Sequence, residues 1–346
     1  MQLTRSRTAQ QLCIVLLLIA LLLTMLFAIA QGSVRIPIPH VATIIQAAIF
    51  GDLPGSIEAT DAFIVMQVRL PRILLAAMVG GTLSVIGAAF QAIFRNPMAD
   101  PYVMGISSGA AFGATLGIVF GLGASLLGLS AISMMAFAGA LLTVLLVYAL
   151  ARTGNKVSPM NILLAGIVVN AVLSAMISLL MILFQNDIDR IVTWTMGSFN
   201  ASAWEHIQLL LLPMTLGSFW LMSKSRDLNA LLMGEEEAMN LGVPVERLKK
   251  SVLLVSAFLA AFAVAVSGII GFVGLIVPHL FRLLFGANHK VLIPASFFGG
   301  AWFLLVCDTI ARSLVPNMEA PVGIVTAALG GPFFLFLLHT HKKKMM

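Results

Sequence analysis

The chain has 346 residues, of which 60% are hydrophobic and 10% are charged. Soluble domains average about 45 to 50% apolar and about 25% charged residues, so a water-soluble enzyme, a disordered chain and a disulfide scaffold are excluded. Cys13 and Cys307 both lie in apolar runs and are expected to pack as small buried side chains. The net charge of +6 comes from short basic clusters between apolar segments, which excludes a nucleic-acid-binding stripe.

Ten charge-poor apolar runs approach the roughly 20 residues that a membrane-spanning helix needs. In chain order they are 12–30, 73–94, 102–122, 127–151, 162–184, 207–222, 252–270, 272–285, 292–311 and 322–338. Gly268, Gly271 and Gly274 interrupt the longest apolar stretch and predict a turn between the seventh and eighth runs. The sequence therefore predicts an all-α integral membrane protein with about ten transmembrane helices, and nine or eleven stay open because of the boundaries near 268–274.

The distribution of Lys and Arg predicts the orientation. With the N-terminus inside, 15 of these 20 residues fall on the inner side and five on the outer side, as the positive-inside rule requires. The outer five are Arg35, Arg69, Arg72, Arg190 and Arg312. We expect both termini in the cytoplasm.

The whole chain, 1–346, is expected to form a single transmembrane domain. Its predicted parts are a first span 12–30, an outer loop 31–72, core spans 73–222, a cytoplasmic segment 223–250, core spans 251–338 and a basic cytoplasmic tail 339–346.

The cytoplasmic segment contains the signature of a short helix with a signal at each end. Gly234 can cap its start, Glu235, Glu236 and Glu237 suit the positive end of the helix dipole, and Gly242 followed by Pro244 stops it. The apolar residues are Ala238, Met239, Leu241 and Val243. We expect a rigid element about 10 Å long that docks against another cytosolic protein, or, as the alternative, a helix lying on the membrane surface.

Two features of the sequence would favour other classes of function. The stretch 105–109 fits G-x-S-x-G around Ser107, but it begins an apolar span with no preceding strand, and no His lies between His40 and His206. Asp308 is the one carboxylate inside an apolar run, and Arg312 follows it by four residues, which predicts an ion pair on one helix face. An intramembrane hydrolase and an ion-coupled secondary transporter of a metal chelate are the alternatives to the interpretation below.

Six segments together resemble the FecCD-type permeases, the membrane subunits of ABC importers for ferric siderophores, haem and cobalamin. The segments are Gln67–Arg72, Gly87–Pro101, Leu163–Gly166, Gly234–Val243, Gly271–His279 and Pro321–Thr326. The resemblance runs from about Arg69 to Leu338. It implies a bundle like that of type II ABC importer permeases, which moves an iron chelate (ferric siderophore or haem) or cobalamin by alternating access across the cell inner membrane.

The resemblance also implies partners. A second permease copy would complete a homodimer, or a different permease a heterodimer, around a central path, and two ATPase subunits would bind ATP and Mg. A periplasmic or lipid-anchored substrate-binding protein would deliver the cargo. This chain would then be no enzyme and would hold no cofactor or metal. No Lys follows a Gly, so the sequence contains no Walker A loop.

Three sets of residues receive roles from the resemblance. The helix that couples to the ATPase would comprise Gly234, Glu235, Glu236, Glu237, Ala238, Met239, Leu241 and Gly242. Arg69, Arg72 and Arg312 would pair with glutamates of the binding protein, for which the planar guanidinium is well suited. The cytoplasmic gate would comprise Asn96, Pro97, Met98, Ser158, Pro159 and Met160. The cobalamin importers carry small hydroxyl residues at the positions of Pro159 and Met160.

Overall fold

Helices account for most of the computed structural model, which describes residues 7–32, 35–51, 57–123, 125–126, 129–154, 156–314 and 319–345. The helices are α1 (Arg7–Ala30), α2 (Ile38–Phe50), α3 (Ala59–Phe63), α4 (Leu70–Ile93), α5 (Ile106–Val119), α6 (Ala131–Ala151), α7 (Pro159–Leu183), α8 (Ile188–Thr195), α9 (Trp204–Ser223), α10 (Ser225–Leu231), α11 (Glu235–Asn240), α12 (Val245–Ser267), α13 (Val273–Phe285), α14 (His289–Ser313) and α15 (Val322–Met345). A π-helical turn covers Ile64–Arg69, and 3₁₀ turns cover Pro101–Met104 and Gln185–Asp187.

Two antiparallel strand pairs, each strand two residues long, join neighbouring helices. Ser125–Leu126 (β1) pairs with Leu129–Ser130 (β2) before α6, and Arg152–Thr153 (β3) pairs with Lys156–Val157 (β4) before α7. These short hairpins reverse the chain between helices and leave the fold all-α.

Each of the ten predicted spans contains a helix. Within the described ranges, seven helices are long and apolar enough to cross a bilayer: Thr8–Ala30, Ala59–Ile93, Ala131–Ala151, Pro159–Leu183, Trp204–Ser223, Val245–Ser267 and His289–Ser313. The third, eighth and tenth predicted spans lie in shorter apolar helices, Ile106–Val119, Val273–Phe285 and Val322–Leu335. The chain is therefore a multi-pass, all-helical membrane protein, as predicted.

The structure corrects the expectation of a plain loop over 31–72. That stretch contains α2, and a continuous helical segment then runs from Ala59 to Ile93, well before the predicted start at Ile73. The charges of Arg69 and Arg72 had set the predicted boundary, but both side chains are buried and paired within the protein, so they do not end the helix. Pro71 lies within this continuous segment, just after the π-helical turn Ile64–Arg69, and its missing N–H removes one helical hydrogen bond there.

The predicted break among the glycines is confirmed. Helix α12 ends at Ser267, and α13 begins at Val273. Gly268 adopts φ 67°, a conformation that residues with a side chain rarely take, and a Cβ there would also collide with the carbonyl of Trp194. The apolar stretch is therefore divided into two helices.

Helix α4 is the centre of the bundle. Within its span, 89% of the most apolar window is buried, against 11% for α7. Helix α14 packs closely along α4, and the backbones approach so nearly that a Cβ on Gly80 would overlap the carbonyl of Gly300. Small residues allow such contact in a membrane, where packing replaces the hydrophobic driving force. The result is a tight α4–α14 pair that extends from one end of the bundle to the other.

Candidate functional site

A buried group of charged side chains occupies the predicted outer end of the α4–α14 pair. Arg72 Nε donates to both carboxylate oxygens of Asp308 at 3.1 Å, and Nη2 donates to Oδ1 at 2.9 Å. Arg72 Nη1 donates to Oε2 of Glu319 at 2.6 Å. The Nε atom of Arg312 lies 3.2 Å from Asp308 Oδ2. The predicted Asp308–Arg312 pair is thus present, and Arg72 joins it from α4.

We call Arg69, Arg72, Arg312, Asp308 and Glu319 the outer arginine cluster. Two of its arginines, Arg69 and Arg312, also bind the end of α1. Arg69 Nη1 donates to the carbonyl oxygen of Ile29 at 2.6 Å. Arg312 donates to the carbonyl oxygens of Ala28 and Gln31, both at 3.3 Å. The last carbonyls of a helix lack partners within the helix, and cations near them also interact favourably with its dipole. The cluster therefore fixes α1 against α4 and α14.

The three predicted docking arginines are brought together, but they are not on an open rim. Their exposed fractions are 5% for Arg69, 5% for Arg72 and 7% for Arg312. All three line a cavity of about 160 Å³, together with Glu319, whose side chain is 38% exposed. An approaching carboxylate would meet the guanidinium groups from this cavity, and it would meet Glu319 at its edge.

At the opposite end of the bundle, α11 has the predicted start and stop. Gly234 precedes it with φ 135°, and the chain leaves it through Gly242 at φ 83°. The N–H of Gly242 donates to the carbonyl of Met239 at 2.9 Å, and that of Val243 to the carbonyl of Ala238 at 3.0 Å. This pattern of two reversed bonds is the Schellman ending that glycine permits. Helix α12 then begins directly after Pro244.

Helix α11 is anchored on one side and exposed on the other. Ala238 is fully buried, and Lys249 of α12 donates to Glu235 at 2.6 Å while lying 3.4 Å from Glu246. By contrast, Met239 is 55% exposed and Leu241 is 65% exposed. A surface helix with apolar side chains directed outward has the composition of a protein contact.

Helix α10 connects the cytoplasmic segment to α14 through a second contact, which no sequence pattern predicted. The side-chain oxygen of Asn229 accepts a bond from the backbone N–H of His289 at 2.8 Å, and its amide donates to Asn288 at 2.9 Å. Asn288 itself caps α14, because its side chain accepts from the N–H of Lys290. A single asparagine thus connects α10 to the first turn of α14. Only an Asn before a helix start, as at 288, could have pointed to this region.

The two predicted gate segments follow different helices. Asn96, Pro97 and Met98 come after α4, and the Asn96 side chain accepts from the N–H of Met98 at 2.9 Å. Pro97 and Met98 border a narrow crevice with His279 of α13 and Phe333 of α15. Ser158, Pro159 and Met160 begin α7 and do not border that crevice, and Met160 is largely exposed.

Asp100, which follows the first gate segment, is a half-buried carboxylate. Its Oδ1 accepts a hydrogen bond from the N–H of Tyr102 at 2.8 Å, which caps the short 3₁₀ turn. Burial raises the pKa of Asp100 to about 6, and the N–H bond offsets only part of that rise. Asp100 is thus a carboxylate whose ionised form is disfavoured by burial, at the predicted inner end.

Comparison with known proteins gives a consistent result. The sequence profile of the FecCD transport family matches residues 17–340. The cobalamin import system permease protein BtuC of Halobacterium salinarum is 42% identical over 294 residues, which is 85% of this chain and 78% of that protein. The hemin transport system permease protein HmuU of Yersinia pestis is 43% identical over 278 residues, 79% of this chain and 82% of that protein.

The fold is similar to that of a solved ABC transporter structure. That structure is an inward-facing conformation of a protein assigned to the metal-chelate type of ABC transporter, and it matches with a TM-score of 0.81 and 36% identity. The match covers 94% of this chain and 98% of that one.

Proposed function

Because the chain belongs to the FecCD transport family, and is thus a non-catalytic permease subunit of an ABC importer for iron chelates, haem or cobalamin, we propose that it moves its cargo by alternating access. ATP bound and hydrolysed by separate ATPase subunits would drive the cycle. The observation that carries this proposal is the form of α11, a capped helix that is anchored within the chain and exposes Met239 and Leu241.

Helix α11 is the proposed contact with the ATPase. Glu235 of α11 pairs with Lys249 of α12, and Asn229 of α10 binds the first residue of α14. A force on α11 would therefore act on α12 and α14. The exposed apolar side chains supply the packing surface, and the glutamates at its first turn supply charge for the partner's basic groups. A push on this helix would therefore shift spanning helices between outward and inward arrangements.

We propose two further partners. A second permease copy, in a homodimer or a heterodimer, would cover part of α7, which this chain leaves largely unburied and apolar. A substrate-binding protein, periplasmic or lipid-anchored, would place carboxylates at the cavity that Arg69, Arg72 and Arg312 line. The distribution of Lys and Arg supports an inner-membrane orientation with both termini in the cytoplasm.

The proposed gate uses the apolar side chains after α4. Pro97 fixes the backbone and Met98 borders the crevice with α13 and α15, so movement of those helices would open or close it. Residues 158–160, at the start of α7, would contribute the second part of the constriction once two copies are assembled.

The coupling proposal is tested by placing charge on the exposed face of α11. In the complete transporter in vesicles, Met239→Glu combined with Leu241→Glu should lower ATP-dependent cargo uptake at least about tenfold, because a few apolar contacts are lost, while the assembled complex still hydrolyses ATP. Lys290→Gln, an exposed change at the same end of the bundle, is the matched control and should transport normally. Normal uptake by the double variant would contradict the coupling role of α11.

A further inference from the structure

An apolar groove lies between α9 and α12, in the half of the bundle nearest to α10 and α11. Its volume is about 440 Å³. Leu216, Gly217 and Trp220 of α9 and Leu254, Phe258 and Leu259 of α12 line it. Pro213 also lines the groove, and from Pro213 to Trp220 the α9 residues recur at helical spacing, so the groove follows the helix axis for roughly 10 Å.

The groove is open to the surroundings of the bundle. Gly217 has no side chain, and Leu259 of α12 packs into the space that a Cβ would take, which sets the floor of the groove. Its walls are exposed, since Leu216 is 59% and Phe258 is 42% accessible. Both helices are membrane-spanning candidates, so these walls lie at the depth of lipid acyl chains.

Basic side chains stand at one end of this groove. The Nζ of Lys224 lies 5.4 Å from the ring centroid of Trp220, which lines the groove. On α12, Arg247, Lys250, Leu254 and Phe258 are all exposed and recur at intervals of three and four residues, so they share one helix face. That face changes from cationic to apolar within two turns, at the level where α9 places Lys224.

The ion pairs formed by Glu235 and Glu246 involve a different lysine. Glu235 and Glu246 pair with Lys249, whose side chain is buried on another face of α12. Within the part of the chain that the structure describes, no ion pair involves Lys224, Arg247 or Lys250. The end of the groove therefore keeps a positive charge that an anionic group could neutralise.

We propose that this groove is a binding site for one anionic phospholipid. An acyl chain would lie along Leu216, Trp220 and Phe258, and the phosphate would lie between Lys224 and Lys250. Basic pockets between spanning helices on the cytoplasmic side attract anionic headgroups, and a zwitterionic lipid offers less net charge to the same lysines. A second copy of this chain fits less well, because the α9 and α12 surfaces would bring like charges together at this end.

Trp220 supplies a direct reporter, because it is one of four tryptophans and lines the groove. The test uses full-length protein with Trp194, Trp204 and Trp302 changed to Phe, titrated with phosphatidylglycerol or phosphatidylcholine carrying brominated acyl chains, which quench indole fluorescence on contact. Each lysine should favour the anionic lipid about fivefold, so phosphatidylglycerol should quench at a mole fraction roughly 25-fold lower.

Charge removal at the groove gives the decisive comparison. Lys224→Gln combined with Lys250→Gln should abolish the preference for phosphatidylglycerol, and added salt should weaken it in the parent protein. Arg226→Gln combined with Lys290→Gln removes two exposed cations at the same end but outside the groove, and should leave the preference intact. Native mass spectrometry of the unmodified chain should show the same preference, which guards against effects of the Trp changes.

Three results would overturn the proposal. The first is equal quenching by the two lipids. The second is a preference that survives in the Lys224 and Lys250 double variant. The third is quenching by neither lipid, and in that case cross-links between copies through α9 would identify a second copy as the occupant.

Discussion

The two ends of the α4–α14 pair, proposed above as outer and inner, hold the residues of the two proposed contacts in opposite ways. At the outer end, three arginines are buried and fixed by Asp308, Glu319 and the carbonyls of α1. At the inner end, α11 has one ion-paired anchor and directs apolar side chains outward. A buried charge requires pairing on all sides, whereas an apolar contact requires only a firm backbone. Removal of one charged group should therefore destabilise the outer end, whereas the contact at the inner end depends on the position of the α11 backbone.

Two carboxylates with different surroundings, Asp308 and Asp100, extend the same contrast. Asp308 is enclosed by Arg72 and Arg312. Asp100 accepts a backbone N–H bond from Tyr102, and no ion pair reaches it from the residues that the structure describes. Of the two carboxylates, only Asp308 is surrounded by cations.

The largest effect is expected from Asp308→Asn. This change leaves two buried guanidinium groups without their shared carboxylate, and breaking a buried pair in this way costs about 3 to 5 kcal/mol. Unfolding of the purified protein in detergent, followed by heat or by denaturant, would measure the loss. Glu319→Gln is the control, since that side chain is 38% exposed and should cost far less. Equal losses in the two variants would remove the distinction between the cluster's centre and its edge.

An intermediate effect is expected at the proposed docking surface. Arg69 lines the cavity without bonding Asp308, so Arg69→Gln tests docking while leaving the central pairs in place. Affinity for the substrate-binding protein should fall about tenfold, with less dependence on salt. Glu319→Gln should have the opposite sign, because it removes a carboxylate that holds Arg72. Unchanged affinity in both variants, measured by surface plasmon resonance, would remove the docking role.

The smallest effect concerns Asp100, whose native pKa of about 6 lies above its ordinary value. Between about pH 4 and pH 6 the folded protein therefore binds more protons than the unfolded chain, so stability falls as the pH rises through that window. We expect the unfolding midpoint to be roughly 2 °C higher at pH 5 than at pH 7, and Asp100→Asn to reduce this difference. Identical pH profiles for the two proteins would show that Asp100 stays ionised.

Much of the fold could be predicted because lipid imposes simple rules on composition. The ten helices follow from apolar runs, the break at Gly268 from the glycines, and both ends of α11 from Gly234, Gly242 and Pro244. The α2 helix was missed because its 13 residues are fewer than a membrane span needs. The early start of the helix at Ala59 was missed because Arg69 and Arg72 look like boundaries until their partners are known.

The candidate site was predicted less completely, since it depends on distant contacts. The Asp308–Arg312 pair follows from a spacing of four residues on one helix. Arg72 joins Asp308 across 236 positions of sequence, and Asn229 reaches His289 across 60. No local sequence pattern predicts these contacts, because they form only when α4, α10 and α14 pack together.

Helix α14 begins at the residue that Asn229 holds and carries Asp308 and Arg312 near its other end. At 25 residues it measures about 37 Å, comparable to the thickness of the whole bilayer. Under the proposed function, the ATPase would act on one end of this helix through α11, α10 and the Asn229 side chain, and the substrate-binding protein would act near its other end, so that a single helix would connect the two contacts across the membrane.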